Sequence, residues 1–149
     1  MDLSQHFTLE EFIASETAAR KEIANYPNQQ TIDNLKRVAA VMEDVRKLLG
    51  FPIIITSGFR CSSLNKLIGS KPTSKHVQGL ACDFKCPQFG TPKDIVNAIN
   101  DSNINFDQCI MEFYNPRTGD GWVHIGLGSE NRRQILTINS YGTFAGIHV

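Results

Sequence analysis

The segment 80–86 constrains the fold most, because the character of its side chains alternates along its length. Read as a strand, it has an apolar face made of Leu80, Cys82, Phe84 and Cys86. The opposite face carries Ala81, Asp83 and Lys85. Such a strand belongs to a sheet with one face packed on a core. We therefore expect a layered fold with the Asp83 carboxylate on the face away from the core.

The cysteines of this segment allow two other readings. The chain has four cysteines, which could form a disulfide framework or a metal site, but it has no CxxC pair. Without a secretory signal, a reducing compartment is the default. We interpret Cys82 and Cys86 as small buried hydrophobic residues. A structural zinc held by these two cysteines is the alternative.

Periodicity and capping patterns predict the remaining elements. Thr8-Leu9-Glu10-Glu11 is a capping box that opens a short helix. Apolar residues three and four apart predict a long helix over about 28–49. Two shorter helices are expected at 62–68 and 92–100. A buried strand is expected at 52–57, further strands at 106–114, 122–127 and 134–139, and an irregular tail at 142–149. The prediction is an α+β fold in one domain over residues 1–149, with helices packed on one face of a small, mainly antiparallel sheet.

Charge and hydropathy exclude some classes of partner. Fifteen Lys and Arg residues balance fifteen Asp and Glu residues, so no net charge draws the chain to nucleic acid or an anionic membrane. No segment has the roughly 18–20 apolar residues that span a bilayer. The first six residues lack the basic and apolar regions of a secretory signal. We expect a monomer, synthesised in the cytoplasm without a signal peptide, that neither binds nucleic acid nor inserts into a membrane.

Four polar side chains lie on or beside the predicted strands: His76, Asp83, Glu112 and His124. Two imidazoles and one carboxylate are a donor set of catalytic zinc, because three protein ligands leave a fourth position open for water. A neighbouring carboxylate can take a proton from that water and pass it to a leaving amine. Spacing alone leaves a second reading open, since each residue by itself also fits a surface position or a hydrogen-bonded core position.

The sequence around two of these residues is more specific. The ten residues Ser74-Lys75-His76-Val77-Gln78-Gly79-Leu80-Ala81-Cys82-Asp83 resemble the SxHxxGxAxD signature of peptidase family M15, the zinc D-Ala-D-Ala carboxypeptidases and phage-type peptidoglycan endolysins, and in particular its subfamily A. Ser57-Gly58-Phe59-Arg60 and Trp122-Val123-His124 resemble its SGFR and WVH segments. Residues 7–12 and 25–27 resemble the phage-type branch. The resemblance implies a hedgehog/DD-peptidase-like fold with Zn²⁺ on the sheet, bound by His76, Asp83 and His124.

The resemblance also implies roles for residues around the metal. Many members carry an acid three positions before the last histidine, where this chain has Gly121. We therefore take Glu112 as the general base, with Asp120 as the alternative. Arg60 is expected to bind a substrate carboxylate or a developing oxyanion. Ser74 and Gln78 are expected to bind substrate, although Ser74 also fits a loop cap. Trp122 is expected to pack in the core, with a position lining the cleft as the alternative.

By this resemblance the substrate is a D-amino-acid-containing stem or cross-bridge peptide of peptidoglycan. The expected protein is a phage or prophage cell-wall hydrolase, which acts after release or as part of a phage particle. The alternative is a non-catalytic, zinc-containing module of the same fold that binds the cell wall or builds the phage. The missing acid at position 121 is the feature that favours this alternative.

Overall fold

The computed structural model describes all of residues 1–149, which form an α+β fold around one six-stranded sheet. The helices are α1 (Leu9–Ile13), α2 (Glu16–Arg20), α3 (Gln29–Leu49), α4 (Ser62–Leu67) and α5 (Pro92–Asn100), with a 3-10 helix at Lys75–Gln78. The strands are β1 (Ile54–Ser57), β2 (Ala81–Lys85), β3 (Gln108–Glu112), β4 (Trp122–Gly126), β5 (Gln134–Asn139) and β6 (Gly142–Ala145). None of the helices combines the length and the apolar character needed to cross a membrane.

The strands lie in the order β1-β2-β4-β3-β5-β6. Every neighbouring pair is antiparallel except β3 and β5, which run parallel. This topology confirms the predicted α+β class and the mainly antiparallel sheet. In the register of the central strands, His124 of β4 lies opposite Asp83 of β2. Directly paired residues point to the same side of a sheet, so these two side chains leave the same face.

The hydrophobic core lies between the other face of the sheet and helices α3 and α5. The strands contribute six fully buried side chains to it: Cys82, Phe84, Cys109, Met111, Val123 and Ile125. Helix α3 contributes a stripe of apolar residues at spacings of three and four: Leu35, Val38, Met42, Val45 and Leu49. Each such side chain contributes about 1.5–3 kcal/mol when it leaves water. The burial of Cys82 and Cys86 confirms their interpretation as core residues.

Side-chain caps fix the starts of the principal helices. Thr8 and Glu11 form the predicted capping box of α1. Asn28 accepts a hydrogen bond from the backbone N–H of Thr31 at the start of α3. Thr91 caps α5 with Pro92 in its first turn, as expected. These caps satisfy backbone N–H groups that have no partner within the helix.

Three elements differ from the predictions. The strand expected to be buried at 52–57 is the edge strand β1, where Ile54 is 54% exposed, because it has a neighbour on one side only. The tail expected to be irregular contains β6, which pairs with β5 although all four of its residues are exposed. β6 is held by backbone hydrogen bonds to β5, and such bonds produce no hydrophobic pattern in the sequence. Helix α2 was not predicted; Ser15 caps it by accepting from the N–H of Ala18.

Candidate metal centre

Three possible metal ligands converge on the face of the sheet opposite the helices. His76 comes from the 3-10 helix, Asp83 from β2 and His124 from β4. One donor atom from each lies within 4.8 Å of the others, and all three residues are buried. Two imidazoles and a carboxylate in this arrangement could hold a metal ion and leave a coordination position open.

The turn that carries His76 depends on its neighbours. The Ser74 hydroxyl accepts a hydrogen bond from the His76 N–H at 3.3 Å, so Ser74 caps the 3-10 helix. Gly79 ends this helix with a φ of 71°. A Cβ at Gly79 would lie 2.6 Å from the Cγ2 of Thr31. Only glycine therefore lets the chain turn against α3 between His76 and β2.

A backbone carbonyl determines which nitrogen of His76 faces the centre. The Nδ1 of His76 lies 2.7 Å from the carbonyl oxygen of Gly58. A carbonyl can only accept, so Nδ1 carries the proton and donates it. The Nε2 atom lies 3.3 Å from Oδ1 of Asp83 and is left as the metal-binding nitrogen.

The carboxylate of Asp83 lies between the two histidines. Its Oδ1 is 2.9 Å from Nδ1 of His124. Burial disfavours the charged carboxylate and acts to raise the pKa of Asp83. The charges and hydrogen bonds of His76 and His124 have the larger effect and hold this pKa well below its usual range. Burial also disfavours charged His124, yet its hydrogen bond to Asp83 and the negative charge there raise its pKa. The centre therefore holds an ionised carboxylate, the form that binds a cation.

Glu112 lies beside the three donors without being one of them. Its Oε1 is 3.8 Å from Nδ1 of His124. Its Oε2 accepts a hydrogen bond of 2.9 Å from the indole N–H of Trp122. Burial, together with the charge of Asp83, raises the pKa of Glu112 against the opposing effects of His124, Trp122 and Arg60. The sheet thus places a second, oriented carboxylate next to the donor cluster.

The other two positions considered for an acid have different surroundings. Gly121 has a φ of 112°, and a Cβ there would lie 2.7 Å from the Cα of Tyr114. An acidic side chain does not fit at this position. Asp120 is exposed and accepts a hydrogen bond from the Thr118 hydroxyl at 2.9 Å in the same turn. Glu112 is therefore the acid that lies next to the possible ligands.

A cleft of about 700 Å³ opens over this centre. Its walls include Arg60, Ser74, Glu112 and Trp122. The expectation that Trp122 packs in the core is therefore wrong. Trp122 lies two residues before His124 on the same strand, and this spacing in the sequence indicates that both side chains leave the same face of the sheet. Gln78 is exposed and lies outside the cleft, where its backbone carbonyl accepts from the side chain of Asn34.

Two neighbours hold the guanidinium of Arg60. Its Nε donates to Oδ1 of Asn65 at 3.2 Å, and its Nη1 donates to the hydroxyl of Ser57 at 3.3 Å. Burial lowers the pKa of Arg60, while Asp83 and Glu112 act in the opposite direction. Because a guanidinium has five N–H donors, further donors are available to a ligand in the cleft.

Asn25 fixes the backbone on both sides of Arg60. Its side-chain amide donates to the carbonyl oxygens of Phe59 and Ile13, both at 3.0 Å. Its side-chain oxygen accepts from the N–H of Cys61 at 2.8 Å. Asn25 is buried; the sequence marks it only as part of the 25–27 segment that resembles the phage-type branch, without indicating its contacts. It connects the N-terminal helices to the loop that carries Arg60.

The family model described as Peptidase M15 matches residues 5–125. The matched range contains His76, Asp83, Glu112 and His124. No curated protein matches the sequence.

Proposed function

Because the chain belongs to the peptidase M15 family of metal-dependent peptidases, we propose that it is a zinc peptidase that hydrolyses D-amino-acid-containing peptides of peptidoglycan. The observation that carries the proposal is the convergence of His76, Asp83 and His124 beside the Glu112 carboxylate in an open cleft. The substrate class rests on the sequence resemblance to the wall-degrading members.

The donor set fits zinc. Zinc in catalytic sites commonly takes imidazole nitrogen and carboxylate oxygen from three protein ligands. The hydrogen bond from His76 to the Gly58 carbonyl leaves Nε2 for the metal, as outer partners of metal-binding histidines commonly do. When bound, zinc supplies Lewis acidity, which activates water and polarises a carbonyl group.

The chain's own residues supply proton transfer and charge stabilisation. Trp122 holds Oε2 of Glu112, so the carboxylate has a fixed orientation beside the donors. Glu112 accepts the proton of the attacking water and delivers it to the leaving amine. Arg60 stabilises negative charge that develops on the scissile carbonyl, or binds a substrate carboxylate. Substrate contacts of Ser74, which lines the cleft, and of Gln78 stay predictions.

The biological setting belongs to the same proposal. The resemblance of the N-terminal segment to phage-type members supports a phage or prophage cell-wall hydrolase. Such an enzyme acts on the wall after release from the cell or as part of a phage particle. We propose that it works as a monomer, with one domain containing every residue of the site.

The test compares Glu112→Gln with Asp120→Asn, two neutralisations of the competing acids. We expect Glu112→Gln to lower kcat by at least about a hundredfold, a usual effect of losing a general base, while zinc stays bound. Asp120→Asn should retain activity. Mass spectrometry of products from defined muropeptides measures turnover, and atomic emission measures zinc. Normal turnover of Glu112→Gln contradicts its role, and no release by the zinc-loaded native protein favours the wall-binding module.

A further inference from the structure

A second cleft adjoins the metal cleft at Arg60. It has a volume of about 470 Å³ and lies between the junction of α1 with α2 and the edge strand β1. Ala14 and Thr17 line one side, and Ile55 and Thr56 line the other. Arg60 and Ile68 line both clefts. The two clefts are therefore neighbours, with Arg60 and Ile68 as shared walls.

The order of the strands shows how the joined clefts run. The metal cleft includes Ile138 of β5 and Glu112 of β3 at one end. Asp83 and His124 lie on the next strands, β2 and β4. The second cleft begins beyond them, at the free edge of β1. The possible metal ligands thus lie between the β3 and β5 end of the metal cleft and the second cleft, and the two adjoining clefts together are called the groove below.

The second cleft is suited to a peptide main chain. β1 pairs with β2 only, and no other backbone hydrogen bond involves its residues. Its outward N–H and C=O groups are therefore free, as at other sheet edges. Three residues that carry hydroxyl groups, Ser15, Thr17 and Thr56, line the same cleft. Main-chain groups and hydroxyls recognise an extended peptide without requiring one particular side chain.

We infer that the enzyme is an endopeptidase whose substrate peptide crosses the metal centre and continues past Arg60 into the second cleft. This inference rests on the proposed peptidase function. A carboxypeptidase needs space for a single residue beyond the scissile bond, whereas this groove continues on both sides of the ligands. The wall Ile55–Ser57 has room for about two or three substrate residues, since an extended chain rises about 3.3 Å per residue.

The test uses peptides of different length and one filled cleft. The zinc-loaded protein is assayed on a short stem peptide and on versions extended by three residues at either end. We expect kcat/KM to rise at least about tenfold for extension at one end, the gain expected from two added hydrogen bonds. Ala14→Trp fills the second cleft from an exposed position. It should bring the kcat/KM of the long peptide close to that of the short peptide, so that their ratio is about one. Ala19→Trp, exposed on α2 outside the cleft, is the matched control and should keep the native ratio.

The products separate the possible outcomes. Two fragments, each longer than one residue, together with loss of the length preference in Ala14→Trp, support the inference. Release of single terminal residues, equal kcat/KM for all lengths, or an unchanged ratio in Ala14→Trp overturns it while the peptidase function stands. If no peptide is cleaved, the proposed function fails and this inference fails with it.

Discussion

Replacing Asn25 with alanine tests whether the buried amide holds the Arg60 loop in place. The substitution removes three hydrogen bonds of 2.8–3.0 Å and leaves two carbonyl groups and one N–H without that partner. A net hydrogen bond contributes about 1 kcal/mol, and each buried group left unpaired costs about 1–3 kcal/mol. We expect the free energy of unfolding to fall by about 3–5 kcal/mol, a large part of the roughly 5–15 kcal/mol of a typical domain.

Urea unfolding measures this loss. With a slope of about 2 kcal/mol per molar urea, the midpoint should fall by about 1.5–2.5 M. Asn34→Ala is the control, because Asn34 donates one exposed hydrogen bond to the Gln78 carbonyl; its cost should stay below about 1 kcal/mol. Asn25→Asp retains the acceptor for Cys61 but places a carboxylate against two carbonyls, so it should also destabilise. A midpoint shift below about 0.5 M for Asn25→Ala would refute the reasoning.

Three further predictions concern the metal, an ion pair and a turn. Zinc at about 100 times its Kd should stabilise the protein by about 2.7 kcal/mol and raise Tm by about 5–10 °C; the shift should vanish in His76→Ala, as calorimetry would show. Arg132 pairs with Asp107 at 2.7 Å and lowers the pKa of Asp107. The pair therefore stabilises the fold fully above the pKa of an unfolded aspartate, about 3.9. This stability is lost as pH falls through the lower pKa that Asp107 has in the folded protein. Asp107→Asn should therefore cost about 1 kcal/mol at pH 7, and the cost should shrink as pH falls below about 3.9 in urea titrations. Gly121→Ala should cost at least about 2 kcal/mol, since its Cβ would meet the Tyr114 backbone. Gly119→Ala, also at positive φ but with only an ordinary contact of 3.9 Å to Cγ2 of Thr91, should cost less; equal midpoints in urea would contradict this account.

The parts of the fold that follow from local patterns could be predicted from the sequence. The alternation in 80–86 placed Cys82 and Phe84 in the core and Asp83 on the opposite face, as the structure has them. The capping residues Thr8 and Thr91 marked helix starts correctly. In each case the physical cause lies within a few residues, so the sequence contains the whole signal.

The parts that depend on distant contacts could not be predicted in this way. Asn25 acts on Cys61, which is 36 residues away, and nothing in the intervening sequence indicates the contact. The spacing of Trp122 from His124 indicates the cleft face, but its hydrogen bond to Glu112 depends on the register of β3 against β4. β6 has four exposed residues and no apolar alternation, so only its pairing with β5 reveals it.

The position of β4 determines when the metal centre can form during synthesis. β4 lies between β2 and β3 in the sheet, although both precede it in the chain. While a ribosome has made only the first hundred or so residues, β2 has no central neighbour and His124 does not yet exist. The strand that joins β2 to β3 also carries the last histidine. A nascent chain therefore gains its complete ligand set at the step that completes its central hydrogen-bonded ladder, and a product truncated before Trp122 has neither.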